Sequence, residues 1–155
     1  MHVSPDIIND PIVGILKPGH GSYWESEPLP VRCLDFRAPI CAFTRYQPPE
    51  PPSEAQLTAM AKALDVTSAM KAEMTPRMVE VYREWRAEYL EAAGECELPE
   101  LNDPDEIWGT FSELAVFISE DASTTTYSFR LAADPDHEMS LDYCGGVLDD
   151  VSIQG

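Results

Sequence analysis

The chain reads as an α+β domain, with antiparallel β-sheet segments at both ends and two to three helices between them. Three observations lead there. Short apolar runs alternate with turn clusters over residues 12–46 and again over 114–153. Apolar residues recur at helical spacing over 53–93. Proline and glycine punctuate the strand-like stretches every few residues, as tight turns require. With 155 residues, 44% hydrophobic and 25% charged, the chain suits a single domain over 1–155 that buries its own core.

The first half opens with Ile12, Val13, Ile15 and Leu16, a strand-like run closed by the turn cluster Pro18-Gly19-His20-Gly21. Tyr23-Trp24-Glu25 resumes an extended pattern, and Glu27-Pro28-Leu29-Pro30 breaks it. From Val31 to Ala38, residues alternate so that Leu34 and Phe36 fall on one face, the expected buried one. Ile40-Cys41-Ala42-Phe43 follows Pro39 as a further strand.

Pro48-Pro49-Glu50-Pro51-Pro52 forms a stiff connector inside the domain. Ser53-Glu54-Ala55-Gln56 then matches a capping box, with Leu57, Met60, Ala61 and Leu64 at helical spacing behind it. A break near Asp65–Thr67 precedes a second helical stretch from Ser68 to Ala93, ended by Gly94. Pro76 either starts a new helix or kinks a continuous one. Met78, Tyr82, Trp85, Tyr89 and Ala92 form a stripe that reads as core, and Glu80, Glu84, Glu88 and Glu91 form a solvated one.

An acidic loop spans 95–102, and Asp103-Pro104-Asp105-Glu106 starts a short helix reaching about Glu113, which should bury Ile107, Trp108 and Phe111. Four strands follow, Leu114–Ser119, Thr124–Ala132, Glu138–Tyr143 and Val147–Ile153. Glu120-Asp121-Ala122, Asp134-Pro135-Asp136 and Gly145-Gly146 separate them, the last a strong hairpin signal. The sheet should bury Leu34, Phe36, Phe117, Phe129 and Leu141, covered by Leu57, Leu64, Tyr82 and Trp85.

Charge narrows the function classes. There are 28 acidic residues against 10 basic ones, a net of −18. Phosphate backbones and anionic membranes are recognised by Lys and Arg, so nucleic acid and membrane partners are excluded. Residues 1–94 hold 13 acids and 9 bases, whereas 95–155 hold 15 acids and one base, Arg130. Most of the field, −14 of −18, therefore arises in the C-terminal strands and their preceding loop. The N-terminal stretch has neither a basic leader nor an apolar one, and no apolar run approaches the ~18 residues of a membrane span, so the expected location is the cytoplasm. Cys33, Cys41, Cys96 and Cys144 are irregularly spaced and contain no CxxC pair. They are expected to stay reduced, with Cys33 or Cys41 buried and Cys33 and Cys144 inert.

No catalytic or cofactor signature is present: no GxSxG, HExxH, phosphate loop or GxGxxG. His2, His20 and His137 are the three histidines. His137, in Asp134-Pro135-Asp136-His137-Glu138, is the one in a dense polar cluster, and a metal-assisted hydrolase centred there is the alternative reading. The simpler reading of that cluster is a tight turn whose acids satisfy local amides. Asp149-Asp150 after the Gly-Gly turn reads as a charged guard on an edge strand.

Three stretches also carry a family pattern. They are Asp10-Pro11-Ile12-Val13-Gly14-Ile15-Leu16 with Tyr23-Trp24-Glu25; Pro52–Leu57 with Tyr82, Trp85 and Tyr89; and Ile107-Trp108 with Asp136-His137-Glu138, Leu141, Gly146 and Val147. In this order the chain resembles small bacterial domains of unknown function, some of them found among immunity proteins of polymorphic toxin systems. One departure is Glu138, where that pattern has a glycine after the histidine. The resemblance implies strands at both ends, helices between and a binding role, and it brings no established catalytic or cofactor-binding residues to transfer. With the charge asymmetry, the expected function is a non-enzymatic protein-binding module, of immunity type, for a basic partner such as a toxin domain. Its expected contact residues are the densest acids, Glu97, Glu100, Asp103, Asp105, Glu106, Asp149 and Asp150. The alternative to immunity is a general housekeeping interaction module.

Overall fold

The computed structural model describes residues 6–19, 21–45 and 50–155. His2, His20 and the Pro48-Pro49 part of the connector lie outside these. The N-terminal strands are β1 (Ile8–Asp10), β2 (Gly14–Pro18), β3 (Tyr23–Ser26), β4 (Leu29–Val31), β5 (Phe36–Ala38) and β6 (Ile40–Phe43). Helices α1 (Glu54–Ala63) and α2 (Ser68–Ala93) and a 3-10 helix (Pro104–Thr110) follow. The chain ends in β7 (Phe111–Ile118), β8 (Thr124–Leu131), β9 (Asp134–Cys144) and β10 (Val147–Gln154). This is the expected α+β order, strands at both ends flanking helices.

The two β-rich ends fuse into one eight-stranded sheet, ordered β1-β2-β3-β6-β7-β8-β9-β10. Every pair in it is antiparallel except β6–β7, which is parallel, with Ile40 opposite Val116 and Ala42 opposite Ile118. A parallel pair needs a long crossover, and the helices supply it. β4 and β5 form a separate hairpin.

The stretch 31–38 is therefore not one alternating strand. Residues 32–35 form the β4–β5 turn, with Cys33 and Asp35 at φ of 68° and 55°. Val31 and Leu34 are both buried and Phe36 is half-buried, a spacing that a turn permits and a strand does not. Asp134-Pro135-Asp136 is also not the turn between strands. The chain reverses at Ala132-Ala133, and β9 begins at Asp134. The register with β8 slips there: Leu131 pairs with Asp134, but Arg130 pairs with Glu138. Pro135, without an N–H, falls inside that slipped segment, where the ladder asks nothing of it.

The capping box at Ser53 forms as read, with both reciprocal hydrogen bonds, 3.1 and 3.0 Å. Pro76 lies inside a continuous α2, and Gly94 caps it at φ 80°. The core holds Leu16, Trp24, Leu34, Ile40, Met60, Met74, Met78, Tyr82, Ile107, Phe129 and Leu141. Leu57, Leu64 and Trp85 cover it while partly exposed. The aromatic stripe of α2 is core only in its first part, since Tyr89 is 43% exposed and Ala92 is exposed. Phe117 does not join the core either. Its neighbours Leu114, Val116 and Ile118 take the helix-covered face, so strand alternation sends Phe117 to the other.

Candidate functional site

The seven expected contact residues are all exposed, and among the described residues none of them forms an ion pair. The structure sorts them into two places. Glu97, Glu100, Asp103, Asp105 and Glu106 lie on the loop that follows α2 and the start of the 3-10 helix. That loop is held by its carbonyls. Tyr82 donates to Pro99 at 2.6 Å, Arg83 to Leu101 at 3.2 Å and Arg86 to Leu98 at 2.8 Å. The α2 cations thus fix the loop backbone and leave its carboxylates outward. Asp103 is partly used locally, accepting from the Asp105 amide at 2.9 Å as an N-cap.

Asp149 and Asp150 lie on β10, the sheet edge, beside a register shift between Leu148 and Asp150. Arg77 of α2 donates to the Leu148 carbonyl at 3.0 Å. Arg77 and Arg86 are two and a half helical turns apart. Arg77 thus holds β10 from the first half of α2, and Arg83 and Arg86 hold the loop from its second half, so the two acidic sets lie on separate elements. Asp150 stands directly opposite Asp142, whose carboxylate accepts from Thr126 at 2.7 Å. Like charges facing across a strand pair are destabilising, and a partner's cation between them would relieve this.

Arg130, the one base of residues 95–155, is spent internally. It meets Glu113 at 2.9 Å and Glu138 at 3.4 Å, while Ser128 donates to Glu138 at 2.6 Å. Glu138 has no positive φ, so the family's glycine is not required at this position.

His137 Nδ1 lies 2.8 Å from Asp134 Oδ2, but off the N–H direction, so the contact is not a hydrogen bond. Its ring packs on Trp85 at 4.9 Å. Asp136 is exposed, and among the described residues no group of three His, Cys, Asp or Glu side chains is placed to hold a metal ion. All four cysteines are free thiols. Cys41 is buried as expected, and burial pushes its thiol up to about 12. Cys33 and Cys144, expected to be buried and inert, are exposed, because one sits in the β4–β5 turn and the other at the end of β9.

A hollow of about 370 Å³ lies where α1 and α2 meet the ends of β8 and β9, lined by Lys62, Met70, Tyr127 and Tyr143 among others. Tyr127 donates to the Ala63 carbonyl at 2.7 Å. Burial raises both phenols, that of Tyr143 to about 12, so neither is an acid or base near neutrality.

Sequence reading missed the sheet face opposite the helices. Tyr23 pairs with Phe43 across β3–β6, with rings 6.2 Å apart, and Phe43 stacks on Phe117 of β7 at 5.8 Å and 16°. None of the three belongs to the core. Phe43 is 43% exposed and Ile15, on β2 of the same face, 40%. Each ring sits at an alternate position of its own strand, but only the strand order makes them neighbours. Beside them, an open groove of about 600 Å³ is lined by Ala115, Ser128, Arg130 and Glu138 of the same face and by Arg37 of β5.

Among the described residues, no helix is long and apolar enough to cross a membrane. No curated protein and no solved structure matches the chain. Residues 12–139, however, match the family described as a domain of unknown function, DUF6985. The match runs from β2 into β9, across both β-rich ends and every helix between, and the chain belongs to this family.

Proposed function

We propose that the protein is a cytoplasmic, non-enzymatic binding module for a basic protein partner, of the kind that neutralises a toxin domain. One observation carries the reading. Residues 95–155 have a net charge of −14, their single base is engaged by two glutamates, and the exposed acids on the loop and on β10 have no ion-pair partner among the described residues. Such a surface speeds the approach of a cationic partner and disfavours anionic ones. The four-strand C-terminal meander holds Asp149 and Asp150 on rigid backbone, and Arg83 and Arg86 hold the acidic loop, so little order has to be gained on binding.

The test is co-purification from the native host at low and high salt, together with the product of any neighbouring gene that encodes a toxin-like C-terminal domain. Retention should fall steeply as salt rises, because the Debye length shortens from about 10 Å at 0.1 M to about 3 Å at 1 M. Converting Asp149 and Asp150 to Lys should lower the on-rate more than it raises the off-rate. Equal retention at both salts would overturn the reading, as would a metal-dependent hydrolytic activity lost in His137→Ala.

A further inference from the structure

We infer that the partner docks on the sheet face opposite the helices, with arginine side chains of the partner laid on the Tyr23–Phe43–Phe117 rings and paired with the Asp142 and Asp150 carboxylates of β9–β10. The inference rests on the partner being basic, and it names where and through which chemistry that partner is held.

The rings form a ladder across three neighbouring strands, β3, β6 and β7, and stand outside the core. A core role does not explain them. An isolated exposed aromatic would need no explanation, but a contiguous row of three rings does. The same face carries acids beyond the row, on the β9–β10 side. Glu25 on β3 stands opposite Lys17 of β2 and Glu138 on β9 is engaged by Arg130, so the acids left for a partner are Asp142 and Asp150, which face each other across β9–β10. An aromatic face with carboxylates at its margins recognises a guanidinium, which stacks flat on a ring while its N–H fork meets the acid. Lysine fits less well, since its compact, strongly hydrated ammonium does not stack.

Charge also decides against a second copy of this chain as the occupant. A second copy would bring one molecule of net −18 against another. A basic partner meets complementary charge instead. The acids of the 95–106 loop, on a separate element from β10, then steer the partner from a distance rather than touch it.

The probe is a short synthetic peptide alternating arginine and valine, with two companions carrying lysine or glutamate at the arginine positions. Binding to the full chain is followed by amide and aromatic NMR shifts at about 0.15 M salt. The arginine peptide should shift Tyr23, Phe43, Phe117 and Asp142, and should bind more tightly than the lysine one. Phe43→Leu and Phe117→Leu keep an apolar side chain but remove the ring, and each should weaken binding about three- to tenfold. Tyr89→Ala, an exposed aromatic on α2, should change nothing, and thermal unfolding of each variant confirms the fold.

If the peptide binds but its shifts map to 95–106, and Phe43→Leu binds as tightly as the natural chain, the face is wrong while the basic-partner reading stands. Failure of the arginine peptide to bind, or equal binding of the glutamate peptide, overturns the basic-partner reading itself. A concentration-dependent dimer in sedimentation, made monomeric by Phe43→Leu, would assign the face to a second copy and overturn the inference.

Discussion

Gln56 does more than its capping role announces. Its Oε1 accepts from the Ser53 amide at 3.0 Å, closing the box. Its Nε2 donates to the carbonyl of Phe43 at 2.6 Å and of Ser119 at 3.1 Å. One side chain, 2% exposed, thus ties the start of α1 to the ends of β6 and β7, the two strands of the parallel pair. Gln56→Leu fills similar space but strands three partners in partly buried bonds, and should cost about 1–3 kcal/mol in urea unfolding. A loss under ~0.5 kcal/mol would mean that water replaces all three bonds. Ser53-x-x-Gln56 was legible as a cap from spacing alone. The two tertiary bonds were not, because their acceptors are 13 and 63 residues away in the chain.

At the scale of elements, the β9–β10 hairpin is the best-determined piece from sequence. Gly145 and Gly146 adopt φ of 59° and 83°, the mirror-image turn that matches strand twist. A Cβ at Gly146 would meet nothing within 4 Å, so any cost of substitution there is conformational. Gly146→Val should therefore destabilise by about 1–2 kcal/mol, while Gly146→Asn should cost only tenths, since Asn tolerates the left-handed region. Equal costs for both, in paired denaturant titrations, would point to packing instead of backbone. The β4–β5 hairpin shows the converse. Its turn uses Cys33 and Asp35 at positive φ with no glycine to announce it, so the alternation of residues 31–38 reads as a strand. Asp134-Pro135-Asp136 looks like a turn for the opposite reason. Its residues are turn formers, yet the reversal lies at Ala132-Ala133 and the proline is absorbed by a register slip.

The whole molecule carries −18 on 155 residues, and most of it lies on one side of the chain's midpoint. Self-repulsion of that size opposes the compact state, and salt screens it. Raising ionic strength from about 0.01 M to about 0.3 M should raise the melting temperature, most clearly because the carboxylates of the loop and of β10 are exposed. The same salt should weaken partner binding, so stability and association are expected to move in opposite directions. A melting temperature that falls across this range would mean that the surface ion pairs of Arg32, Arg45 and Arg130 outweigh the repulsion, against the modest value such exposed pairs have.

Sequence by itself determined the fold class, the order of strands and helices, the caps at Ser53 and Gly94, the Gly-Gly hairpin and the uneven charge, because each depends on residues close together in the chain. Tertiary structure alone decided that the two β-rich ends make one sheet. β6 and β7 are adjacent only after the helices have crossed between them, and periodicity carries no record of which strand lies beside which. The same decision built the aromatic row. Tyr23, Phe43 and Phe117 each alternate with core residues, and Phe117 reads as core itself, since Val116 and Ile118 on either side of it are equally apolar. Which of two apolar faces meets the helices is settled by packing, and it is the helices' position that leaves these rings on the open side.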